Sequence, residues 1–389
     1  MINKTRTSAL MGAAFLMATS AIGPGFLTAT TVFTTKLLAS CGFAILISVI
    51  LDIGAQLNIW RILAVKEKRA QDIANDVVPG LGYFLSLLIV LGGIAFNVGN
   101  IAGTGLGINV LLGVDVMWGA AISAAIAIVV FLVKEFGRAV DTFAKVLGFI
   151  MIALTLYVAV VAAPPLGEVA IKTFAPDTID WTIIITLVGG TVGGYITFAG
   201  GHRLLDSGVK GQENLKEVSR SAIAAIALAS TMRGLLFLAV LGVVIAGFAP
   251  DAGNPAASVF KQVAGEIGYR IFGVVMWCAA ITSVVGSAYT SVSFIKTFHS
   301  SIAAKEKWII IAFIVISLVI FLFVGNPVRV LVVVGLLNGF ILPIALGIML
   351  WAAYTSGTRK SYQHPLWLTI FGAVVAIATG AMGIFAVVK

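Results

Sequence analysis

Long apolar stretches recur along the whole of this 389-residue chain and constrain its fold more than any other feature. A helix needs about 20 apolar residues to cross a bilayer, and most of these stretches reach that length. Only 11% of the residues are charged, too few to cover a water-soluble body of this size. We therefore expect an all-α polytopic membrane protein with eleven transmembrane helices rather than a soluble enzyme. The predicted spans lie near residues 9–40, 42–64, 80–112, 115–133, 138–163, 180–201, 219–248, 267–295, 307–325, 328–353 and 365–388.

Lysine and arginine are distributed unequally between the two ends of these spans. If the N-terminus lies inside, eighteen of them fall on the inner side and six on the outer side, with Arg233 left inside span 7. Because basic flanks stay in the cytoplasm, we expect a cytoplasmic N-terminus and an extracellular C-terminus in the plasma membrane. The net charge of +9 is thus mostly a topology signal, and no nucleic-acid partner is expected.

Residue types that build catalytic or cofactor sites are scarce. Cys41 and Cys278 lie inside apolar runs and the three histidines are scattered, so we expect neither a disulfide scaffold nor a metal cluster. The chain contains no phosphate-binding loop motif, which argues against direct coupling to ATP. We expect no enzyme activity and no cofactor. The expected partners are the lipid bilayer and a small molecule or ion, with the oligomeric state left open, a monomer included.

Spans 1 and 6 each carry helix-breaking residues in the middle. Span 1 has Gly-Pro-Gly at 23–25, and span 6 has glycine pairs at 189–190 and 193–194, with a further pair at 200–201 near its inner end. Backbone groups freed by such breaks persist at bilayer depth only where they are buried or line a cavity. The alternative is that the glycines are small-residue packing contacts. Breaks at matching positions of two inverted repeats indicate a transporter binding site. We expect a first repeat at 1–163, a second at 164–354 and an extra span at 355–389.

Short motifs in four spans resemble those of a known family. The first of these motifs reads G-P-G-F-L, then six residues, then D-P-G-N. In this chain GAAFL at 12–16 and GPGF at 23–26 stand at the same spacing, without a gap. The span 3 motifs D-x-x-E, x-x-G-T and N-L-L-F-G are similar to NVGN, GT and NVLLG within 97–113. G-A-T-V-M-P-H looks like GGTVGGY at 189–195, and F-Q-L-P-F-A looks like FILPIA at 340–345. The chain resembles the NRAMP family of divalent-metal transporters, which implies a LeuT-type fold of two inverted five-helix repeats with helices 1 and 6 broken.

The chain departs from that family at the metal-binding positions. There the family has an aspartate and an asparagine in span 1, a methionine in span 6 and a glutamine in span 10. This chain has Gly23, Phe26, Gly193 and Ile341. A divalent cation needs several oxygen, nitrogen or sulfur ligands, and an uncompensated +2 charge is very unfavourable in a low-dielectric cavity. This comparison predicts a site without metal ligands.

The proton route that the resemblance implies is altered as well. The two carboxylates of the family's span 3 correspond to Asn97 and Asn100, which keep the shape but do not titrate. The first histidine of span 6 corresponds to Tyr195 and the second to Gly200. Proton coupling by the family's route is therefore not expected.

The groups that remain favour a small anion or a neutral polar solute. The start of a broken helix offers unpaired N–H groups with a partial positive charge. We expect bicarbonate or a short carboxylate to be carried by alternating access in a secondary transporter. The alternatives are a divalent-metal transporter with a relocated site and, more remotely, a non-transporting membrane sensor or an intramembrane enzyme. The predicted site takes open backbone from Gly23, Gly25, Gly193 and Gly194, donors from Thr28, Asn97, Asn100 and Tyr195, and a wall from Phe26.

Five charged or titratable residues keep two interpretations each. Asp52 either faces the cavity or pairs with a basic neighbour. Arg233 either attracts an anion or is a snorkelling side chain or the partner of a buried acid such as Asp52. His202 and Asp206 form an inner gate or proton sensor, or else a helix-end cap. Lys36 steers anions or flanks the bilayer.

Overall fold

The computed structural model describes residues 4–354 and 362–388, and gives the backbone alone for 4–9, 15–16 and 134–145. Sixteen α-helices and two 3-10 turns form the described chain, in which no β-strand occurs. The predicted all-α class is therefore confirmed. The helices are α1 (Lys4–Ala21), α2 (Pro24–Leu37), α3 (Cys41–Lys66), α4 (Ala70–Val77), α5 (Leu81–Leu112), α6 (Val116–Leu132), α7 (Lys134–Val161), α8 (Leu166–Phe174), α9 (Trp181–Val192), α10 (Ile196–Asp206), α11 (Leu215–Ile245), α12 (Pro255–Ser293), α13 (Ser300–Ala304), α14 (Glu306–Val324), α15 (Pro327–Tyr354) and α16 (Leu366–Val388).

Several of these helices are long and apolar enough to cross a membrane. In the described ranges there are eight such stretches, or nine if one bent pair counts as a span. One of the eight, Pro24–Lys66, contains both α2 and α3, and the apolar helices Leu10–Ala21 and Val116–Leu132 are shorter. The chain is thus a polytopic membrane protein. The number eleven, the sidedness and the boundaries of the two repeats remain predictions.

Helix α8 is an element that the sequence pattern did not predict. It follows α7 at an angle of 107°. Pro164 and Pro165 stand between the two helices, and proline cannot continue a helix because it lacks the N–H donor. The small helix lies against the start of α3, where a Cβ atom at Gly42 would come within 2.3 Å of the Thr173 hydroxyl. It therefore covers the predicted outer end of span 2.

Span 1 and span 6 are each divided into two helices, as predicted. Span 1 consists of α1 and α2, which are separated at Ile22 and Gly23, and span 6 consists of α9 and α10, separated at 193–195. Around the breaks, α5 packs along α12 and α15, and α9 packs along α15. The two breaks consequently lie next to the faces of α5, α12 and α15.

The predicted inner halves of the two broken spans, α1 and α10, pack against each other, and α10 also packs against span 2. Helix α1 packs on α10, and α10 packs on α3. The indole Nε1 of Trp60 donates a hydrogen bond of 2.7 Å to the carbonyl of Thr197. A Cβ atom at Gly200 would lie 2.2 Å from the Trp60 ring, so this glycine permits close packing rather than a further break.

A buried polar chain joins the segment before α16 to span 2. The Nε2–H of His364 donates to Asn58 Oδ1 at 2.8 Å, and the Tyr362 hydroxyl donates to His364 Nδ1 at 3.0 Å. The Asn58 amide also donates to the carbonyl of Leu368 at 3.0 Å. Burial, with the nearby charge of Arg61, lowers the pKa of His364 to about 4. His364 is therefore neutral in the folded protein at neutral pH.

We predict an acid-dependent loss of stability through His364. An exposed histidine in the unfolded chain takes up a proton below about pH 6.5, whereas the folded protein resists it down to the lowered pKa. The melting temperature in detergent should therefore fall as the pH drops from about 6.5 toward 4, and less steeply in His364→Gln. His299→Gln, which changes an exposed histidine, is the control. Equal pH slopes in the parent and in His364→Gln would contradict the prediction.

Candidate functional site

The break in span 1 exposes the first N–H groups of α2. Gly23 is extended (φ −107°, ψ −175°), and Pro24 begins the helix. The first backbone bond into α2 runs from the Leu27 N–H to the Gly23 carbonyl at 3.2 Å. Proline has no N–H, so the N–H groups of Gly25 and Phe26 are the free donors of this helix start. They carry the positive end of the α2 dipole.

Gly23 faces two polar side chains from other spans. A Cβ atom at this position would lie 3.5 Å from Asn100 Oδ1 and 3.7 Å from Ser283 Oγ. Asn100 comes from α5 and Ser283 from α12. The structure thus brings the span 1 break next to the predicted donor Asn100. It adds Ser283, which belongs to a group of hydroxyl residues with helical spacing in span 8: Ser283, Ser287, Thr290 and Ser291.

The break in span 6 requires glycine at two positions. Gly194 has φ +52°, a left-handed conformation that disfavours side chains, and a Cβ atom there would come 1.8 Å from Asn338 Oδ1. At Gly189 the Cβ would lie 2.0 Å from the Gly335 carbonyl oxygen. Both interpretations of the glycine cluster therefore apply. Gly189 is a packing contact with α15, whereas Gly194 and its neighbour Gly193 form the break.

Asn338 of α15 is a polar residue at the site that the sequence analysis missed. Its amide donates to the carbonyls of Gly92 and Val334 at 3.2 and 3.0 Å, while Oδ1 accepts no hydrogen bond. An asparagine inside an apolar span was the available signal, because polar residues at that depth are costly. The family resemblance indicated Ile341 as the span 10 residue of the site instead. The Ile341 side chain packs toward Gly92.

Buried donors without partners form the centre of the site. The Ser287 hydroxyl donates to Asn97 Oδ1 at 2.8 Å, which leaves the Asn97 amide N–H₂ group without a partner. The Asn100 N–H₂ group and the Ser283 hydroxyl are likewise buried and unpartnered. The Tyr195 hydroxyl is buried close to Asn100 and Ser287 but makes no hydrogen bond of regular geometry. We call Asn97, Asn100, Tyr195 and Ser283 the donor cluster. Thr28 in α2 is also buried with an unpartnered hydroxyl.

Aromatic rings flank the donor cluster. Tyr195 lies close to Asn100 and Ser287, and its ring meets the ring of Phe96 edge-on at 5.4 Å between centroids. Phe26, directly after the span 1 break, is buried beneath the guanidinium of Arg233, which lies 4.3 Å from the ring centroid. The donor cluster thus adjoins the Phe96 ring through Tyr195, and Phe26 lies at the span 1 break under a cation.

The described residues contain no group of three or more histidine, cysteine, aspartate or glutamate side chains that could hold a metal ion. Asp52 is fully buried in α3, where Arg233 interacts with it electrostatically and the Thr191 hydroxyl lies close to it. The donor cluster itself contributes amide and hydroxyl groups only. A divalent cation at this cluster would lack carboxylate compensation.

On the predicted inner side, His202 and Asp206 fasten the end of α10 to the start of α4. His202 Nε2 accepts a hydrogen bond of 3.2 Å from the Ala70 N–H, and the imidazole stacks near Phe294. Asp206 forms an ion pair of 2.8 Å with Arg69. His202 therefore acts as a cap for α4, and Asp206 ties span 6 to the connection after span 2.

On the predicted outer side, a cavity of about 350 Å³ lies between the ends of spans 1, 6, 10 and 11. It is lined by Phe33, Lys36, Asp180, Thr182, Ile183, Thr186, Val332, Val333, Leu336 and Ala386. We call this cavity the outer vestibule. An ion pair of 2.8 Å between Lys36 and Asp180 joins α2 to the start of α9 beside it. Partial burial opposes ionisation of Asp180, but hydrogen bonds from Lys36 and the Ile183 N–H hold the pKa of this carboxyl below its usual value.

We predict that breaking this ion pair makes the outer vestibule more accessible. Lys36→Ala should increase labelling of a Thr186→Cys variant by a membrane-impermeant thiol reagent. An exposed pair is worth about 0.2–1 kcal/mol, so the increase should be at most about fivefold and should shrink at high salt. Lys261→Ala, which removes another exposed lysine, is the control. Unchanged labelling in Lys36→Ala would show that the pair does not close the vestibule.

Sequence comparisons relate this architecture to known proteins. The profile described as Natural resistance-associated macrophage protein-like matches residues 14–389. The chain is 60% identical over 378 residues to the uncharacterized membrane protein YcsG of Bacillus subtilis (strain 168), covering 97% of this chain and 94% of that protein. It is 29% identical over 204 residues to the divalent metal cation transporter MntH of Xylella fastidiosa (strain 9a5c), covering 48% of this chain and 41% of MntH.

Solved structures share the fold at low sequence identity. A variant of the manganese transporter of Eremococcus coleocola aligns with a TM-score of 0.77 at 14% identity, covering 99% of this chain and 87% of that one. MhsT in complex with L-phenylalanine aligns with a TM-score of 0.62 at 16% identity, covering 100% of this chain and 98% of that one. The predicted LeuT-type fold with broken helices 1 and 6 is confirmed.

Proposed function

This chain belongs to the Natural resistance-associated macrophage protein-like (NRAMP) family of membrane transporters, and on that premise we propose that it is a secondary active transporter of a small anion. The donor cluster carries this proposal. Its four side chains are buried and offer donors that make no hydrogen bond of regular geometry with a described group. The solute would bind between spans 1, 3, 6 and 8 and cross by alternating access. The site residues predicted from the sequence remain proposals for this role.

Unpartnered buried donors favour a ligand that accepts hydrogen bonds. Leaving a buried donor unpaired costs about 1–3 kcal/mol, and hydrogen bonds to a charged ligand are worth about 1.5–3 kcal/mol each. The amide N–H₂ groups of Asn97 and Asn100 can only donate, whereas hydroxyl groups both donate and accept. A carboxylate or bicarbonate, which presents acceptor oxygens, satisfies the amides and the free N–H groups of Gly25 and Phe26 together.

The charges and dipoles around the donor cluster also favour an anion. No carboxylate belongs to the donor cluster, and the start of α2 places the positive end of its dipole at Gly23. Arg233 adds a cation behind the Phe26 ring. The aromatic faces of Phe26, Phe96 and Tyr195 favour an anion with a short apolar body. Among the two predicted solutes, a short carboxylate therefore suits the walls better than bicarbonate.

A divalent metal cation is the second candidate. It is favoured by family membership and by the similarity to the divalent metal cation transporter MntH of Xylella fastidiosa. A relocated metal site would need oxygen ligands away from the donor cluster. The unpartnered carboxylate of Asp52 and the Asn338 Oδ1 atom are the buried acceptors near the breaks that would supply them.

Flux into proteoliposomes tests the proposal. Purified full-length protein is reconstituted, and uptake of labelled lactate, bicarbonate and manganese is measured in parallel against protein-free vesicles. We expect saturable lactate uptake, weaker bicarbonate uptake and manganese uptake equal to that of empty vesicles. Saturable manganese uptake without anion uptake would replace the anion proposal by the metal candidate. We also propose that the protein lies in the plasma membrane with its N-terminus in the cytoplasm, as the basic residues predict.

A further inference from the structure

Two opposite charges are buried between α3 and α11. Asp52 is fully buried near the middle of α3, and Arg233 is 2% exposed near the middle of α11. These helices pack against each other. Ionisable residues inside transmembrane helices are costly, and they commonly mark ion and proton pathways. The donor cluster and the outer vestibule use neither of these two residues.

The two charges compensate each other only in part. Both carboxylate oxygens of Asp52 and the Nε of Arg233 lack hydrogen-bond partners. Arg233 from α11 interacts electrostatically with Asp52. The hydroxyl of Thr191 from α9 lies close to the carboxylate but donates its hydrogen bond to the Leu187 carbonyl at 2.8 Å. Arg233 in turn faces Asp52 and the thiol of Cys41 at the start of α3. A buried carboxylate that accepts no hydrogen bond is unfavourable, and binding a proton relieves it.

The pair contacts both broken spans. Thr191, beside Asp52, stands two residues before Gly193 in the span 6 break. Phe26, beneath Arg233, stands three residues after Gly23 in the span 1 break. Helices α3 and α11 are also corresponding members, spans 2 and 7, of the two predicted repeats. A change of charge at Asp52 therefore acts directly on the segments that form the proposed binding site.

We propose that Asp52 is the proton-binding site that couples a proton to the transported anion. The inference rests on the proposed anion-transport function. A proton from the predicted outer side binds a carboxylate oxygen of Asp52 and forms a neutral acid. Arg233 then lacks its counter-charge, and the anion beside Phe26 supplies it. On the inner side the anion and the proton both leave. One proton and one monovalent anion cross together, so each cycle moves no net charge.

Transport measurements on the Asp52→Asn variant distinguish proton coupling from anion binding. Full-length protein is reconstituted in proteoliposomes with labelled lactate. We expect the parent to accumulate lactate when the outside is more acidic, with no response to an imposed membrane potential. Asp52→Asn should keep lactate exchange at equal concentrations but lose accumulation driven by the pH gradient. Asp52→Glu should restore part of it. Asp115→Asn, which alters an exposed carboxylate before α6, is the control. Accumulation at the parent level in Asp52→Asn would overturn the proposal.

A second measurement keeps the test independent of the solute. Infrared difference spectra between alkaline and acidic buffer should show the carbonyl stretch of a buried protonated carboxyl group in the parent and in Asp115→Asn. The same band should be missing in Asp52→Asn. Its persistence in Asp52→Asn, or its absence from the parent, would overturn the assignment. If the band behaves as expected but lactate does not move, the anion-transport function fails and the proton site stands.

Discussion

Replacing Asn100 by aspartate should reduce lactate uptake into proteoliposomes by at least two orders of magnitude. The change removes the buried N–H₂ donor of Asn100 and puts a negative charge beside Gly23, which faces the Asn100 side-chain oxygen and where the solute is proposed to bind. Loss of a hydrogen bond to a charged ligand alone costs about 1.5–3 kcal/mol, or about 10-fold to 100-fold in affinity. Asn100→Ala, which removes the donor without adding charge, should fall within that smaller range.

Asn109→Asp provides the matched control for this prediction. Asn109 lies on the same helix, and its amide donates to the nearby Val114 carbonyl at 2.9 Å, away from the donor cluster. It should retain uptake close to that of the parent. The prediction is wrong if Asn100→Asp carries lactate as well as Asn109→Asp does. If Asn100→Asp gained saturable manganese uptake, the absence of a carboxylate at position 100 would by itself explain why the parent site prefers an anion to a cation.

Replacing Gly194 by alanine should abolish most transport and lower the melting temperature. The left-handed conformation costs a residue with a side chain about 1–2 kcal/mol. The added Cβ would also lie 1.8 Å from Asn338 Oδ1, so α15 or the break must move. Because Tyr195 follows directly, that movement displaces one member of the donor cluster. Uptake assays and thermal unfolding in detergent measure the two effects.

Gly190→Ala is the control for the span 6 break. Gly190 lies on α9 only four residues earlier, and a Cβ atom there would meet no atom within 4 Å. Alanine also favours the helix by about 0.8–1.0 kcal/mol over glycine, so this variant should be at least as stable as the parent. A Gly194→Ala protein with parental transport and stability would show that the break does not depend on glycine.

The two helix breaks could be predicted from the sequence because their causes are local. Proline at position 24 has no N–H wherever it is placed, and glycine at 194 tolerates the left-handed region that other residues avoid. The spacing of NVGN in span 3 also placed Asn97 and Asn100 on one helix, and both lie in the donor cluster. Both breaks and the shared helix of Asn97 and Asn100 were therefore predictable, because each depends only on residues close together in the sequence.

Contacts between distant spans could not be predicted in the same way. Asn338 approaches Gly194 across 144 residues of sequence, and the stacking of Arg233 on Phe26 depends on how α11 packs against α2. Gly200 resembled a further helix break, yet it makes room for Trp60. In each case the local sequence allowed two outcomes, and the packing of another helix selected one of them.

We propose that the donor cluster beside the two breaks binds an anion rather than a divalent cation. Titration calorimetry of the purified protein with sodium lactate and with manganese chloride tests it most directly, with Asn100→Asp as the comparison. We predict saturable heat with lactate in the parent, its loss in Asn100→Asp, and no binding heat with manganese. Saturable manganese binding by the parent, together with no response to lactate, would contradict the claim.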